Sequence, residues 1–178
     1  MAMLNARESI HMIKGSTADF KEEKWKEAEE KGEIVKHIYL ELFGEESEEV
    51  ADILEQLGGI AHFQGKQDIA VKTIEKVLEI RSKILDPSDP EIVRCYHNLG
   101  YFFESEWQYE KAIQYYQTGL DICLKYLDPQ HLGVAESYYK LGNVYNEKGD
   151  YTEAIKSYLE VLEIYSAHYS SESFEMGD

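Results

Sequence analysis

Apolar residues along this chain fall into helical registers that come back at a fixed interval. From Glu91 onward, Ile92, Tyr96, Leu99 and Phe103 are spaced four, three and four apart, which places them on one helical face. The register recurs later as Val134, Tyr138, Leu141 and Tyr145, and earlier as Val50, Leu54, Leu57 and Ala61. Each set predicts the first helix of a hairpin. A second helix is predicted from Tyr109, Ala112, Ile113, Tyr116, Gly119 and Leu120, and again from Tyr151, Ala154, Ile155, Tyr158, Val161 and Leu162. Equivalent positions are 42 residues apart, as in Leu57-Gly58, Leu99-Gly100 and Leu141-Gly142, or Ala70, Ala112 and Ala154. A fixed period of this size marks a helical array in which each unit buries its apolar face against its neighbours.

The polar positions punctuate the same pattern. Glu147-Lys148-Gly149-Asp150 reads as a helix stop, and Gly65 serves likewise. Asp86-Pro87 and Asp128-Pro129 prevent helix continuation, and Asp89-Pro90-Glu91 starts the next helix with a capping carboxylate and a first-turn proline. Gly58, Gly100 and Gly142 fall in mid-helix, where glycine costs about 1 kcal/mol relative to alanine. That recurring cost predicts a second helix crossing too closely for a side chain, with Ala112 and Ala154 against the glycines and tyrosines filling wider gaps. Trp107 stands in the place of Gly65 and Gly149, which predicts a turn of different build, its indole near the surface and covering the hairpin end.

Leu99-Gly100, Phe103, Tyr109, Ala112, Tyr116 and Leu120 together resemble the tetratricopeptide repeat. Leu141-Gly142-Asn143, Tyr145, Gly149-Asp150-Tyr151, Ala154-Ile155, Tyr158 and Leu162 resemble it more closely. The period exceeds the usual length of about 34. It is similar to the lengthened repeats of kinesin light chain, whose second helix ends in a Leu-x-Pro-type loop; here the loop reads Leu85-Asp86-Pro87 and Leu127-Asp128-Pro129. Residues 133–168 match strongly, 91–127 well and 49–85 moderately. Residues 7–43 resemble a degenerate repeat through Lys14-Gly15, Ala18, Phe20, Trp25 and Ala28. The resemblance implies an all-α fold, a right-handed α-solenoid (superhelix) of about four antiparallel helical hairpins. It forms a single domain over 1–178, with repeats at 7–43, 49–90, 91–132 and 133–174 plus the tail. Phe174 to Asp178 is where another first helix would begin. The expectation is therefore a fragment of a longer array, with a polar last helix or pairing with a second copy as the alternatives.

The resemblance also implies that first helices line a concave groove. From the strong repeats the groove residues are Arg94, His97, Asn98, Tyr101, Glu136, Tyr139, Lys140, Asn143 and Asn146, with Asp52, Glu55, Gln56, Gly59 and His62 from the repeat before. Amide side chains both donate and accept, and so hold a peptide backbone whatever its sequence. Arg94 and Lys140 engage acidic groups, and Tyr101 and Tyr139 offer rigid contact area. Asn98 matches a peptide-gripping position of the family, whereas Lys140 and Gln56 occupy its equivalents. Glu55 stands where carboxylate-gripping members need a lysine, so that subtype is rejected, and recognition of a short, partly acidic peptide fits better. The expected function is a non-enzymatic protein–protein interaction module, an adaptor or scaffold binding a peptide or protein segment. A self-assembling array segment that stacks through uncapped terminal repeats, or a peptide-sensing regulatory domain, remain open alternatives.

Charge and reactive residues narrow the field. Net charge is -17, from 35 acidic against 18 basic residues, so the surface repels nucleic acid and anionic membranes. The run from His37 to Gly65 has no Lys or Arg, and Glu41, Glu45, Glu46, Glu48, Glu49, Asp52 and Glu55 make it strongly acidic. It reads as a solvated face, with docking of a basic partner as the alternative. His11, His37, His62, His97, His131 and His168 show no metal-ligand spacing. No nucleophile elbow or phosphate loop occurs, so neither cofactor, metal nor catalysis is expected. Cys95 and Cys123 read as two reduced thiols. The start lacks a secretory signal and no apolar run is of membrane-spanning length, so a cytoplasmic location is expected by default.

Overall fold

The computed structural model describes residues 22–175, and all their regular secondary structure is helical. The helices are α1 (Glu22–Phe43), α2 (Glu48–Phe63), α3 (Gln67–Ile84), α4 (Pro90–Ser105), α5 (Tyr109–Tyr126), α6 (Leu132–Lys148) and α7 (Tyr151–Glu175). Three tight hairpins result, α2/α3, α4/α5 and α6/α7, with α1 packed on α2 and α5 on α6. Of the degenerate first repeat, Trp25 and Ala28 lie in α1 and pack against a core of Val35, Ile53, Leu57 and Ile60. Lys14-Gly15, Ala18, Phe20 and His11, and residues 176–178 of the tail, lie outside the described residues.

The chain divides into two compact units, one ending at Leu85 and the other beginning at Asp86. The second holds the larger core, in which Ala112, Leu120 and Cys123 of α5 meet Val134, Ala135 and Leu141 of α6 and Val161 and Ile164 of α7.

The 42-residue period governs the caps. Ser47, Asp89 and His131 are one period apart and each caps its helix, accepting from Val50, Glu91 and Gly133 backbone N–H respectively. Leu85 and Leu127 end α3 and α5 in the same extended conformation.

The mid-helix glycines are filled in a way the sequence reading did not anticipate. A Cβ on Gly100 would lie 2.6 Å from Tyr116 Cδ1, and one on Gly142 2.5 Å from Tyr158 Cε1. The rings of the tyrosines, not the alanines, occupy the notch. At Gly58 the neighbour is Ile74 Cδ1, 2.9 Å from the position of a Cβ. Tyrosine rings are flat and wide, and only the absence of Cβ lets one lie against a helix backbone.

The hairpin turn at Trp107 is also unlike the expectation. Trp107 adopts a left-handed φ of 60°, beside 72° at Gly65 and 87° at Gly149. The hydrogen bonds match as well. Trp107 N–H donates to Glu104 O at 2.9 Å and Gln108 N–H to Phe103 O at 2.9 Å; the glycine turns repeat this through Gly65→His62, Lys66→Ala61, Gly149→Asn146 and Asp150→Tyr145. All three are one helix-ending motif. The indole stands near the surface as expected, 76 % exposed, with its ring edge-on to that of Tyr109 at the start of α5. A side chain in this backbone region costs about 1–2 kcal/mol, and part of that is returned because glycine gives the unfolded chain more freedom. Trp107→Gly is therefore expected to raise stability by about 0.5–1 kcal/mol, read as a higher melting temperature.

Candidate functional site

The expected site residues gather on the second unit, in two clefts on the α4 and α6 surface. Tyr101, Lys140, Asn143 and Asn146 line a cleft of about 550 Å³. Arg94, His97, Asn98 and Lys140 line a second, of about 460 Å³. Lys140 is common to both. Tyr139 lines neither; it is exposed, with its ring 6.1 Å from that of Tyr158. Asn98 and Lys140 are half-buried, and Arg94 is exposed and ion-paired with Glu91.

The first cleft contains acids and an indole that the sequence reading passed over. Glu104 and Glu147 face it beside Lys140, and Trp107 forms its lip. Tyr116 donates its hydroxyl to Glu104 Oε2 at 2.5 Å, and Tyr158 donates to Asn143 Oδ1 at 2.8 Å. Burial pushes the Glu104 carboxyl above the usual carboxylate range and the Glu147 charge adds to the rise; the Tyr116 hydroxyl and Lys140 hold it back. Glu104 lies one period before Asn146, so the repeat that yields Asn146 also yields Glu104. With two carboxylates to one ammonium, the cleft is not specialised for acidic groups. Its amides suit a backbone, and the exposed rings of Tyr101 and Trp107 suit an apolar side chain.

His97 is a correction. Expected on the groove surface, it is buried, at 6 % exposure. Its Nε2 lies 3.1 Å from Ser137 Oγ and its ring packs edge-on to Tyr116. Gly119 makes room for it: a Cβ there would lie 3.1 Å from the imidazole. Burial, and after it the Lys140 charge, lowers its pKa to about 4. It therefore forms part of the cleft wall as a neutral ring, not as a cation.

Ser137, His97 and Glu136 follow the order of a nucleophile, base and acid, with Glu136 Oε1 3.8 Å from His97 Nδ1. Ser137 is fully buried, however, and its hydroxyl donates to Gly133 O of its own helix at 3.1 Å. The Ser137–His97 contact is thus buried between α4 and α6. Cys123, beside Ser137, is held as a thiol by burial, and Cys95 is buried as well.

His97 carries a pH dependence. An unfolded histidine takes up a proton near pH 6.5, the folded one only near 4. Protons in that window favour the unfolded chain, so this contribution to stability falls as pH drops. The loss between pH 7 and pH 5 is about 2 kcal/mol. Denaturant titrations should show that component in the wild type and lack it in His97→Gln, Glu136 and Lys140 being present in both.

In the first unit the acidic run is largely engaged. Arg81 of α3 is fully buried. Its Nε donates to Glu48 Oε1 at 3.0 Å, Nη1 to Glu55 Oε2 at 2.9 Å and Nη2 to Asp52 Oδ1 at 2.8 Å. Lys83 pairs with Glu46 at 2.7 Å. Asp52 and Glu55, expected in the groove, thus serve a structural guanidinium.

Comparison with known proteins follows the repeat. Tetratricopeptide-repeat models match residues 51–84 and 96–167, together more than half of the chain. A comparison with curated protein sequences gives no match. Among solved structures, BtubC (BKLC) from P. vanneervenii shares 24 % identity at a TM-score of 0.71, covering 82 % of this chain and 58 % of that one. A kinesin light chain-like protein of Podosopora anserina with nearly identical TPR-like repeats shares 23 % at 0.69, covering 81 % and 68 %. A Rap protein, complexed with Competence and Sporulation Factor, shares 16 % at 0.67, covering 80 % and 38 %. These likenesses establish the fold, and the chain spans 58 % of the length of BtubC.

Proposed function

The chain belongs to the tetratricopeptide-repeat family, and from that premise we propose that it is a non-enzymatic interaction module that grips an extended peptide or protein segment in the cleft between α4 and α6. The observation that carries this reading is the cleft itself. Tyr101, Asn143 and Asn146 stand on neighbouring first helices beside Lys140, with the exposed Trp107 at the lip. A neighbour of the same fold is recorded with a bound factor, Rap with Competence and Sporulation Factor, which supports binding as the use of such a surface.

The ligand has an apolar or aromatic side chain seated between Tyr101 and Trp107, its backbone held by the amides. Glu104 and Glu147 turn the preference away from the partly acidic peptide expected from the sequence and toward one carrying a hydrogen-bond donor or a cation at that point. The module works as an adaptor or scaffold in the cytoplasm, without cofactor, nucleic acid or membrane. The repeats run 7–43, 49–90, 91–132 and 133–174 within one domain of 1–178. Among the described residues no helix is long and apolar enough to cross a membrane.

A random peptide library displayed on phage tests this. The wild type should enrich a peptide family that Asn146→Ala with Lys140→Gln fails to retain, with both proteins melting alike. Peptides retained equally by the variant would place binding elsewhere. With Trp25→Phe, Trp107 becomes the only tryptophan of the chain, and an enriched peptide should shift its emission.

A further inference from the structure

The second cleft is walled in part by a buried acceptor to which the chain itself gives no proton. Val93 of α4, Ile122 of α5 and the C-cap Leu127 supply its apolar lining, and its volume of about 460 Å³ is that of a small-molecule site. Its charges are matched. Arg94 pairs with Glu91, and Lys140 Nζ stands 3.8 Å from Glu136 Oε1. His131 is committed to its helix cap, accepting Gly133 N–H at Nδ1. Two carboxylates against two cations select no ion, so the cleft favours an uncharged occupant.

His97 defines what that occupant carries. The ring's tautomer is set at Ser137. That hydroxyl has one proton and donates it to Gly133 O at 3.1 Å; toward His97 Nε2, also 3.1 Å away, it offers a lone pair. Nε2 therefore holds the ring proton, and the neutral imidazole leaves Nδ1 bare. The Cδ2–Nε2 edge lies against Gly119. Nδ1 sits on the other edge, toward Glu136, which lines the cleft. Among the described residues Nδ1 meets no donor, since Glu136 Oε1, 3.8 Å away, is itself an acceptor. A ring only 6 % exposed thus turns an unmet acceptor toward the cleft.

An amide or indole N–H would satisfy Nδ1 and nothing else. A hydroxyl also accepts, and Lys140 borders the cleft with an ammonium to give to it. A phenol O–H, more acidic than an aliphatic one, makes the stronger bond to an imidazole, and its ring adds apolar area to bury.

We propose that this cleft is a binding site for an uncharged phenol, whose hydroxyl donates to His97 Nδ1 and accepts from Lys140 while its ring is buried against Val93, Ile122 and Leu127. The site is separate from the peptide cleft, although Lys140 borders both. A free small molecule and a partner's tyrosine side chain both carry this group.

Titration of p-cresol into the full chain, followed by NMR of the histidine ring nitrogens, tests this. In the free protein His97 should show the Nε2–H tautomer with Nδ1 bare. p-Cresol should move that Nδ1 resonance upfield as it gains a hydrogen bond. p-Xylene and 4-methylanisole keep the ring but lack the donor, and should bind at least about tenfold more weakly, because they leave a buried acceptor unpaired. His97→Phe keeps a ring without the acceptor and should abolish the preference for p-cresol. If that variant folds poorly, the comparison of the three probes on the wild type decides by itself. N-Acetyl-tyrosinamide binding as tightly as p-cresol would assign the phenol to a partner's tyrosine; its exclusion, with p-cresol bound, would assign it to a free small molecule. A protonated Nδ1 in the free protein, no binding of p-cresol, equal binding of the three probes, or binding that leaves Nδ1 unmoved would each overturn the proposal. His97 is untouched in the peptide selection, so either test can fail without the other.

Discussion

Arg81→Ala is expected to destabilise the first unit by about 3–5 kcal/mol, the range for removing one partner of a buried charge cluster. The guanidinium is fully buried and serves three carboxylates, each on a different nitrogen. Without it, Glu55, only 14 % exposed, is left with no counter-charge from this side chain and with Asp52 and Glu48 as acidic neighbours. The cut side chain also leaves a void where the arginine stem had packed. Arg81→Lys keeps the charge but cannot make a three-way fork, and should lose an intermediate amount, about 1–2 kcal/mol. Glu55→Gln in the alanine background should recover part of the loss, since the two sites share one network. Hydrogen exchange across α2 and α3, together with the melting temperature, reads all three. A loss under 1 kcal/mol for Arg81→Ala would show that the cluster contributes little.

The second large effect is expected at the glycine notches, graded by what fills each. Gly100→Leu should cost about 3 kcal/mol, the upper part of the usual overpacking range. Its Cβ meets the Tyr116 ring, which is buried and tied by its hydroxyl to Glu104, and so has nowhere to go. Gly142→Leu meets Tyr158, whose hydroxyl is also tied, to Asn143, but whose ring is only half-buried, and should cost less, about 1–2 kcal/mol. Gly58→Ala meets Ile74 Cδ1 and Cγ1, with Thr73 Cβ at ordinary contact distance, and the gain in helix propensity, about 1 kcal/mol, offsets the crowding to leave it near neutral. Equal losses at all three positions would mean that the glycines answer to something other than the rings.

The hairpins were legible because the apolar register and the caps repeat together: Ser47, Asp89 and His131 cap alike despite different side chains, and a period finds them where a residue pattern would not. Gly100 and Gly142 were correctly read as notches, but their occupants were not. Helix spacing along the sequence shows which residue types share a face, not how a ring twists across it. Arg81 was missed for a related reason. The run of acids looked unopposed because its counter-charge sits on the next helix, 26 to 33 residues away in sequence from the three acids it serves. His97 was misplaced because it shares a stretch of helix with Arg94 and Asn98, and only Gly119 on the facing helix, leaving a space for the imidazole, shows that it turns inward. Glu104 could have been found by carrying Asn146 back one period.

The turns at Gly65, Trp107 and Gly149 are closed by the same pair of main-chain hydrogen bonds. The identity of the residue at the bend is thus nearly decoupled from the hairpin it closes. Glycine there is the comfortable choice, and a bulky substitute asks only a small, local penalty while the helices on either side keep their register. Variation can accumulate at this one point in each repeat and alter what the rim of the surface offers to a passing chain, without rewriting the core beneath. Trp107 is one such variant already in place, and Gly65 and Gly149 are two vacant positions at which an engineer could install another.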